Sequence, residues 1–462
     1  MSIDSNTTGF ASSLGPGEGP PPRSCSALVR RARLVLFALA LAASVGCTSK
    51  PEESPKKERA ASSNAHGESA STEEVVAASP VVIPDGPAGP FEFTTVNGNW
   101  LAFGGGAATR DAFIAVHRFE VRNDPVACPL SGTAYCDPWL AVLGMRTESK
   151  PGSPPASPNL ARASVAESDT PSGIEIAAVE AVGDRFAVVW REGRYTEDVP
   201  KLTLTWLDAK GAAAQVTLFE GDLGVELGRA TAAATGADSL MVCWSGSNPD
   251  AKPAIELLAD TPIWCRSTNL QGKLSPIKRA TSQHGNARSP SLAWGAAGGG
   301  LLTWVRDGNL EAAAIDAEGV VSEPALSLGP ALAKPAQLAA GHGGFLVAWQ
   351  DGAGEATFAR LDPPATLASA PLRFEEGSHH LLPSGVAAVP EGFAVGFNTT
   401  AHGELALLDP LVQKVLAPLR PMEPTSLVWV KGFGVFTVDP AKPAQWKWGT
   451  AASLFRPVGP TP

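Results

Sequence analysis

The sequence predicts an all-β chain: a single β-propeller of about seven four-stranded blades, behind a signal peptide and a disordered tether. Three observations predict it. A short apolar phrase ending in an aromatic returns about every fifty residues. Gly 47 and Pro 41 punctuate the 462 residues with turns. Charged residues make up only 18%, too few for long helices with a charged outer face.

The phrase reads Phe186-Ala-Val-Val-Trp190, Leu240-Met-Val-Cys-Trp244, Leu301-Leu-Thr-Trp304, Phe345-Leu-Val-Ala-Trp349 and Phe393-Ala-Val-Gly-Phe397. Weaker copies are Trp100-Leu-Ala-Phe103 and Phe433-Gly-Val-Phe-Thr437. From Trp190 the anchors step by 54, 60, 45, 48 and 40 residues, and the step of 87 from Phe103 to Trp190 implies an insertion in the first copy. A short small-residue strand precedes each phrase, as in Ser291-Leu-Ala-Trp294, Gln337-Leu-Ala-Ala340 and Gly385-Val-Ala-Ala388. Glu192-Gly193, Asp307-Gly308 and Asp351-Gly352 follow it and supply the positive φ of tight hairpins. A third strand then runs into Leu207-Asp-Ala-Lys-Gly211 or Ile315-Asp-Ala-Glu-Gly319, a second turn that leads to a fourth strand. Four antiparallel strands per unit cannot bury both faces alone, so the copies stack and close into a ring. Seven copies fit residues 91–457, with 458–462 as a tail. Trp190, Trp244, Trp304 and Trp349 hold equivalent places and pack between blades.

Residues 1–46 form an N-terminal extension and export signal. Arg30, Arg31 and Arg33 precede an apolar run from Leu34 to Ala43, and Ser44-Val-Gly lead into Cys47. That run is shorter than the roughly 20 residues a membrane span needs. Residues 1–28 play no part in such a signal, and a start at Val29 would make it compact. Small residues directly before Cys47 resemble the lipobox of bacterial lipoproteins, where the thiol receives diacylglycerol before cleavage. By that resemblance Cys47 becomes the lipidated N-terminus, and Thr48 in place of Asp favours the outer membrane. Residues 47–90 carry Ser, Glu, Lys, Ala and Pro with few aromatics, a composition that forms a disordered tether. Val81-Val-Ile83 alone is strand-like there. Signal and repeat together resemble bacterial lipoproteins that carry a WD40-like or TolB-like β-propeller domain. The resemblance implies an exported, lipid-anchored chain and carries no functional residue across.

Six cysteines divide simply. Cys25 precedes the cleavage point and Cys47 takes lipid. Cys128 and Cys136 bracket a short loop in the first-copy insertion, and Cys243 and Cys265 face each other across adjacent strands. Two disulfides suit an oxidising compartment.

Chemistry is sparse. No HExxH, GxSxG, Walker A or EF-hand pattern is present. Gly104-Gly-Gly106 and Gly298-Gly-Gly300 read as glycine clusters at strand turns. A weak metal or anion candidate gathers His284, His379, His380 and His402, with Glu375 and Glu376, on loops that open on one face of a propeller. A formal net charge of -10, with no basic stripe, argues against nucleic acid. No cofactor is expected. The expected function is a lipid-anchored, monomeric binding or scaffolding module of the cell envelope, presenting loops to a protein, peptide or glycan. The alternative is an envelope hydrolase or lyase with its site in the central channel. Small apolar inner strands such as Ala232-Ala-Ala-Thr235 and Ala339-Ala340 weigh against that alternative.

Overall fold

The structure is a computed structural model of the 462-residue chain. It describes residues 91–94, 99–109, 112–120, 139–145, 160–166, 174–193, 199–222, 225–247, 261–282, 285–374, 382–389, 391–398, 403–422, 426–430, 434–438 and 445–449. The signal, Cys47, the tether, Val81–Ile83, Cys128 and Cys136 lie outside the described residues.

Every regular element among the described residues is a strand, arranged in seven antiparallel sheets. The first strand, β1 (Phe91–Thr94), belongs to the last sheet and is placed below. Sheet 1 holds β2 (Asn99–Ala108), β3 (Ala112–Glu120), β4 (Trp139–Met145) and β5 (Leu160–Ala166). Sheet 2 holds β6 (Glu175–Val182), β7 (Arg185–Glu192), β8 (Lys201–Leu207) and β9 (Ala213–Glu220). Sheet 3 holds β10 (Leu227–Ala234), β11 (Ser239–Gly246), β12 (Ile263–Asn269) and β13 (Lys278–Arg279). Sheet 4 holds β14 (Ala287–Trp294), β15 (Gly300–Arg306), β16 (Asn309–Ile315) and β17 (Leu326–Pro330). In sheet 5, β18 (Gln337–Gly341), β19 (Gly344–Gln350) and β20 (Ala356–Asp362) are followed by a divided fourth strand, β21 (Thr366–Leu367) and β22 (Leu372–Arg373). Sheet 6 holds β23 (Leu382–Val389), β24 (Gly392–Asn398), β25 (Gly403–Leu408) and β26 (Val415–Met422). Sheet 7 holds β27 (Ser426–Val430), β28 (Gly434–Val438) and β29 (Gln445–Gly449), and β1 completes it beside β29. The first strands β2, β6, β10, β14, β18, β23 and β27 neighbour one another in that order, and β27 lies beside β2.

The apolar phrases form the second strands. Their side chains alternate between two interfaces, and both are buried, so they read as unbroken apolar runs instead of an in–out alternation. Phe186, Val188 and Trp190 pack on Ile114 and Val165 of sheet 1, while Ala187 and Val189 join Leu240, Val242 and Trp244 of sheet 3. Trp304 sits in the cluster between sheets 3 and 4, and Trp349 in the one between sheets 4 and 5. The expected packing of the four tryptophans between sheets is what the structure has. Polar seams cross the same interfaces. Trp190 Nε1 donates to Thr205 Oγ1 at 3.0 Å, and Thr205 Oγ1 donates to Val165 O of sheet 1 at 2.8 Å. Arg266 Nη1 reaches Leu218 O of sheet 2, and its Nη2 donates to Ser275 O at 2.7 Å. Burial lowers the Arg266 pKa from its ordinary value. The guanidinium stays charged, and each of its three nitrogens donates one hydrogen bond.

The turn after the third strand recurs with one chemistry. Asp208, Asn269, Asp316 and Asp409 each accept backbone N–H bonds from residues two to five positions on. Each turn ends in a left-handed residue: Gly211, Gly272 and Gly319 where glycine is present, Val412 where it is not. The turn at Asp362 closes in the same way on Ala365, at φ 107°.

Two expectations shift. Trp100–Phe103 lies in the first strand β2, and the second-strand position of sheet 1 is filled by Phe113-Ile-Ala-Val-His117 in β3. That copy ends in histidine, which hides it from a search for terminal aromatics. After Asp351 the positive φ falls on Gly354, not Gly352. Asp351 Oδ1 accepts from Ala353 N and Glu355 N, so the carboxylate sets a longer turn.

Candidate functional site

The first strands of successive sheets neighbour one another, and five of them are irregular. Register shifts interrupt β2 at Phe103/Gly105, β6 at Ile176/Ala178, β10 at Leu227/Ala230, β14 at Arg288/Ser291 and β23 at Pro383/Gly385. A bulge bends its strand and re-aims the residues beside it. Here the bulged segments of five strands, with the start of β18, line an open cavity of about 570 Å³. Gly104–Gly106 belong to this wall inside β2, which corrects their expected place at a turn. A Cβ on Gly105 would stand 2.9 Å from Val179 Cγ2, so the close approach of β2 to β6 requires glycine.

Most residues of the wall are small or apolar, but seven are polar or charged: Glu175, Glu180, Arg229, Thr231, Ser291, Gln337 and Ser384. Glu175 Oε2 accepts from Arg191 Nη2 at 2.7 Å, and Arg191 Nη1 donates to Leu227 O of sheet 3 at 2.8 Å. Glu180 is 6% exposed. Arg229 is exposed, follows Gly228 in the bulge of β10, and its guanidinium has no partner among the described residues. Gly228 is obligatory there, because a Cβ would meet Ser245 Oγ at 2.2 Å.

The expected histidine face, His284, His379, His380 and His402 with Glu375 and Glu376, lies outside the described residues. Among the described residues no three His, Cys, Asp or Glu side chains are grouped to hold a metal ion. Cys243 and Cys265 are joined by a disulfide, directly opposed on β11 and β12 with Cα atoms 4.1 Å apart. Both are fully buried in the cluster between sheets 3 and 4. Sequence reasoning missed Glu175, Glu180 and Arg229. Their signal was present, as charged residues inside inner-strand segments that are otherwise small.

No family model matches the chain, and no curated protein matches it. Solved structures with likeness to it include a chain from a study of two prolyl endopeptidases, at 14% identity and TM-score 0.39, covering 76% of this chain and 48% of that one. A mutant NanB sialidase from Streptococcus pneumoniae is similar at 8% identity and TM-score 0.42, covering 78% and 93%. A Trypanosoma rangeli sialidase is similar at 7% identity and TM-score 0.36, covering 63% and 54%. The chain thus spans about half the length of the prolyl endopeptidase chain it matches.

Proposed function

We propose that the chain is an exported, lipid-anchored binding module of the cell envelope. It is a single seven-bladed β-propeller, tethered through Cys47 to the outer membrane, whose axial cavity and surrounding loops receive a peptide, protein or glycan. The cycle of neighbouring first strands and the completion of sheet 7 by β1 support the closed ring. The lipobox-like Ser44-Val-Gly-Cys47 supports the anchor. One observation carries the binding role: strands of six sheets line a cavity of about 570 Å³ whose small-residue wall bears seven polar or charged side chains. That volume lies within the ordinary range of small-ligand sites, about 300–1,000 Å³.

The second reading, a hydrolase acting in the same channel, draws on Glu175 and Glu180 as the acidic side chains of the wall, since a carboxylate can serve as a general acid or base. One experiment separates the two. The full chain is incubated with a panel of envelope glycan fragments and peptides; binding is followed by thermal shift and product by mass spectrometry. A raised melting temperature without new product supports the module. Turnover supports the hydrolase, and no shift across the panel overturns the cavity as a ligand site. Cys47→Ala should abolish labelled palmitate incorporation and membrane retention; unchanged labelling would refute the anchor.

A further inference from the structure

We propose that the axial cavity takes a small ligand through a single carboxylate, held by Arg229. The inference rests on the binding-module reading and names the chemistry of its ligand. The two acidic side chains of the wall are already engaged or buried: Glu175 pairs with Arg191, and Glu180 is 6% exposed. Arg229 differs from both, being exposed to the cavity and without a partner among the described residues. Its placement is built into the strand. Arg191 fastens the Leu227 carbonyl just before the bulge, and Ser245 leaves no room for a side chain at residue 228. The bulge then sets Gly228 and Arg229 together against Ser245, with Arg229 in the wall of the cavity.

A guanidinium presents a planar fork of donors that matches a carboxylate in two parallel bonds. One fork neutralises one charge. A phosphate dianion would leave a second charge facing a wall that also bears Glu175 and Glu180, so a monoanion is the better fit. Ser291, Gln337 and Ser384 complete the wall with neutral hydrogen-bonding groups, suited to hydroxyls or amides on the body of the ligand. The overall charge of -10 repels large polyanions, which confines the proposal to small molecules or chain ends.

The test is calorimetric titration of the full chain. D-glucuronate and N-acetyl-alanyl-alanine serve as carboxylate probes, glucose and the dipeptide amide as their neutral counterparts, and inorganic phosphate as a competing oxyanion. At least one carboxylate should bind, and Arg229→Gln should weaken it by about tenfold or more, the scale of a lost charge-assisted bidentate pair. The glucuronate and dipeptide arms distinguish an acidic sugar from a peptide C-terminus. Arg229→Lys, which keeps the charge, should fall between. Unchanged unfolding midpoints would show that both variants remain folded. Equal binding of a neutral counterpart, preference for phosphate, or an Arg229→Gln protein that binds like the parent overturns the carboxylate while leaving the cavity as a binding site. Failure of every probe to bind overturns both.

Discussion

Replacing Cys243 and Cys265 together by alanine tests the pairing of β11 with β12 and the covalent tie between them. The two residues are 22 apart in sequence, and closing a loop of that size in the unfolded chain is worth about 3 kcal/mol. Alanine is the right replacement, since serine would bury two hydroxyls among Met241, Ile263, Trp304 and Ile315. Guanidinium unfolding of the full chain should therefore give a midpoint lowered by the equivalent of about 3 kcal/mol, with a steeper transition because the uncrosslinked chain unfolds further. The parent unfolded with reductant should follow the variant. In native buffer the same reductant should leave the bond intact, because both sulfurs are sealed between sheets 3 and 4. Peptide mapping without reduction should recover the two cysteine peptides linked. Coincident curves for parent and variant, or two alkylatable thiols in the folded protein, would refute both the tie and the strand register.

Two further substitutions probe single contacts. Thr205→Val keeps the shape of the side chain, leaves Trp190 Nε1 without its acceptor, and leaves Val165 O with only the 3.5 Å bond from Gln215 Nε2, at a cost of about 1–3 kcal/mol by denaturant unfolding; a neutral outcome would mean water replaces the hydroxyl. Ala365→Gly should stabilise by about 0.5–1 kcal/mol, since the left-handed backbone at φ 107° costs a non-glycine residue about 1–2 kcal/mol and the freedom of glycine when unfolded returns only part of it. A lower midpoint would show that the alanine methyl group packs better than its backbone suffers.

The second strands were legible because burial on both faces leaves only apolar residues, as in Phe186–Trp190 and Phe345–Trp349. The turns at Asp208 and Asp316 were legible because an acceptor side chain and a left-handed glycine are needed three residues apart. Cys243 and Cys265 were legible because equal offsets from Trp244 and Trp264 place them opposite one another. The cavity was not. Its wall consists of bulges, and an extra residue in a strand breaks the period on which pattern reading depends. Arg229 belongs to such a bulge, so alternation along β10 gives no side to which it points. The role of β1 was hidden for another reason: its partner β29 lies at the far end of the chain, beyond any local signal.

That pairing bears on how the chain folds. Phe91 faces Trp448, so the register of β1 joins residues more than three hundred positions apart. Brought together from an unfolded chain, such distant ends cost about 4 kcal/mol more loop entropy than an ordinary hairpin, because the cost grows with the logarithm of length. Among the described residues sheet 7 alone draws a strand from the other end of the chain, so its completion depends on long-range order, whereas each of the other six sheets is made of strands close in sequence.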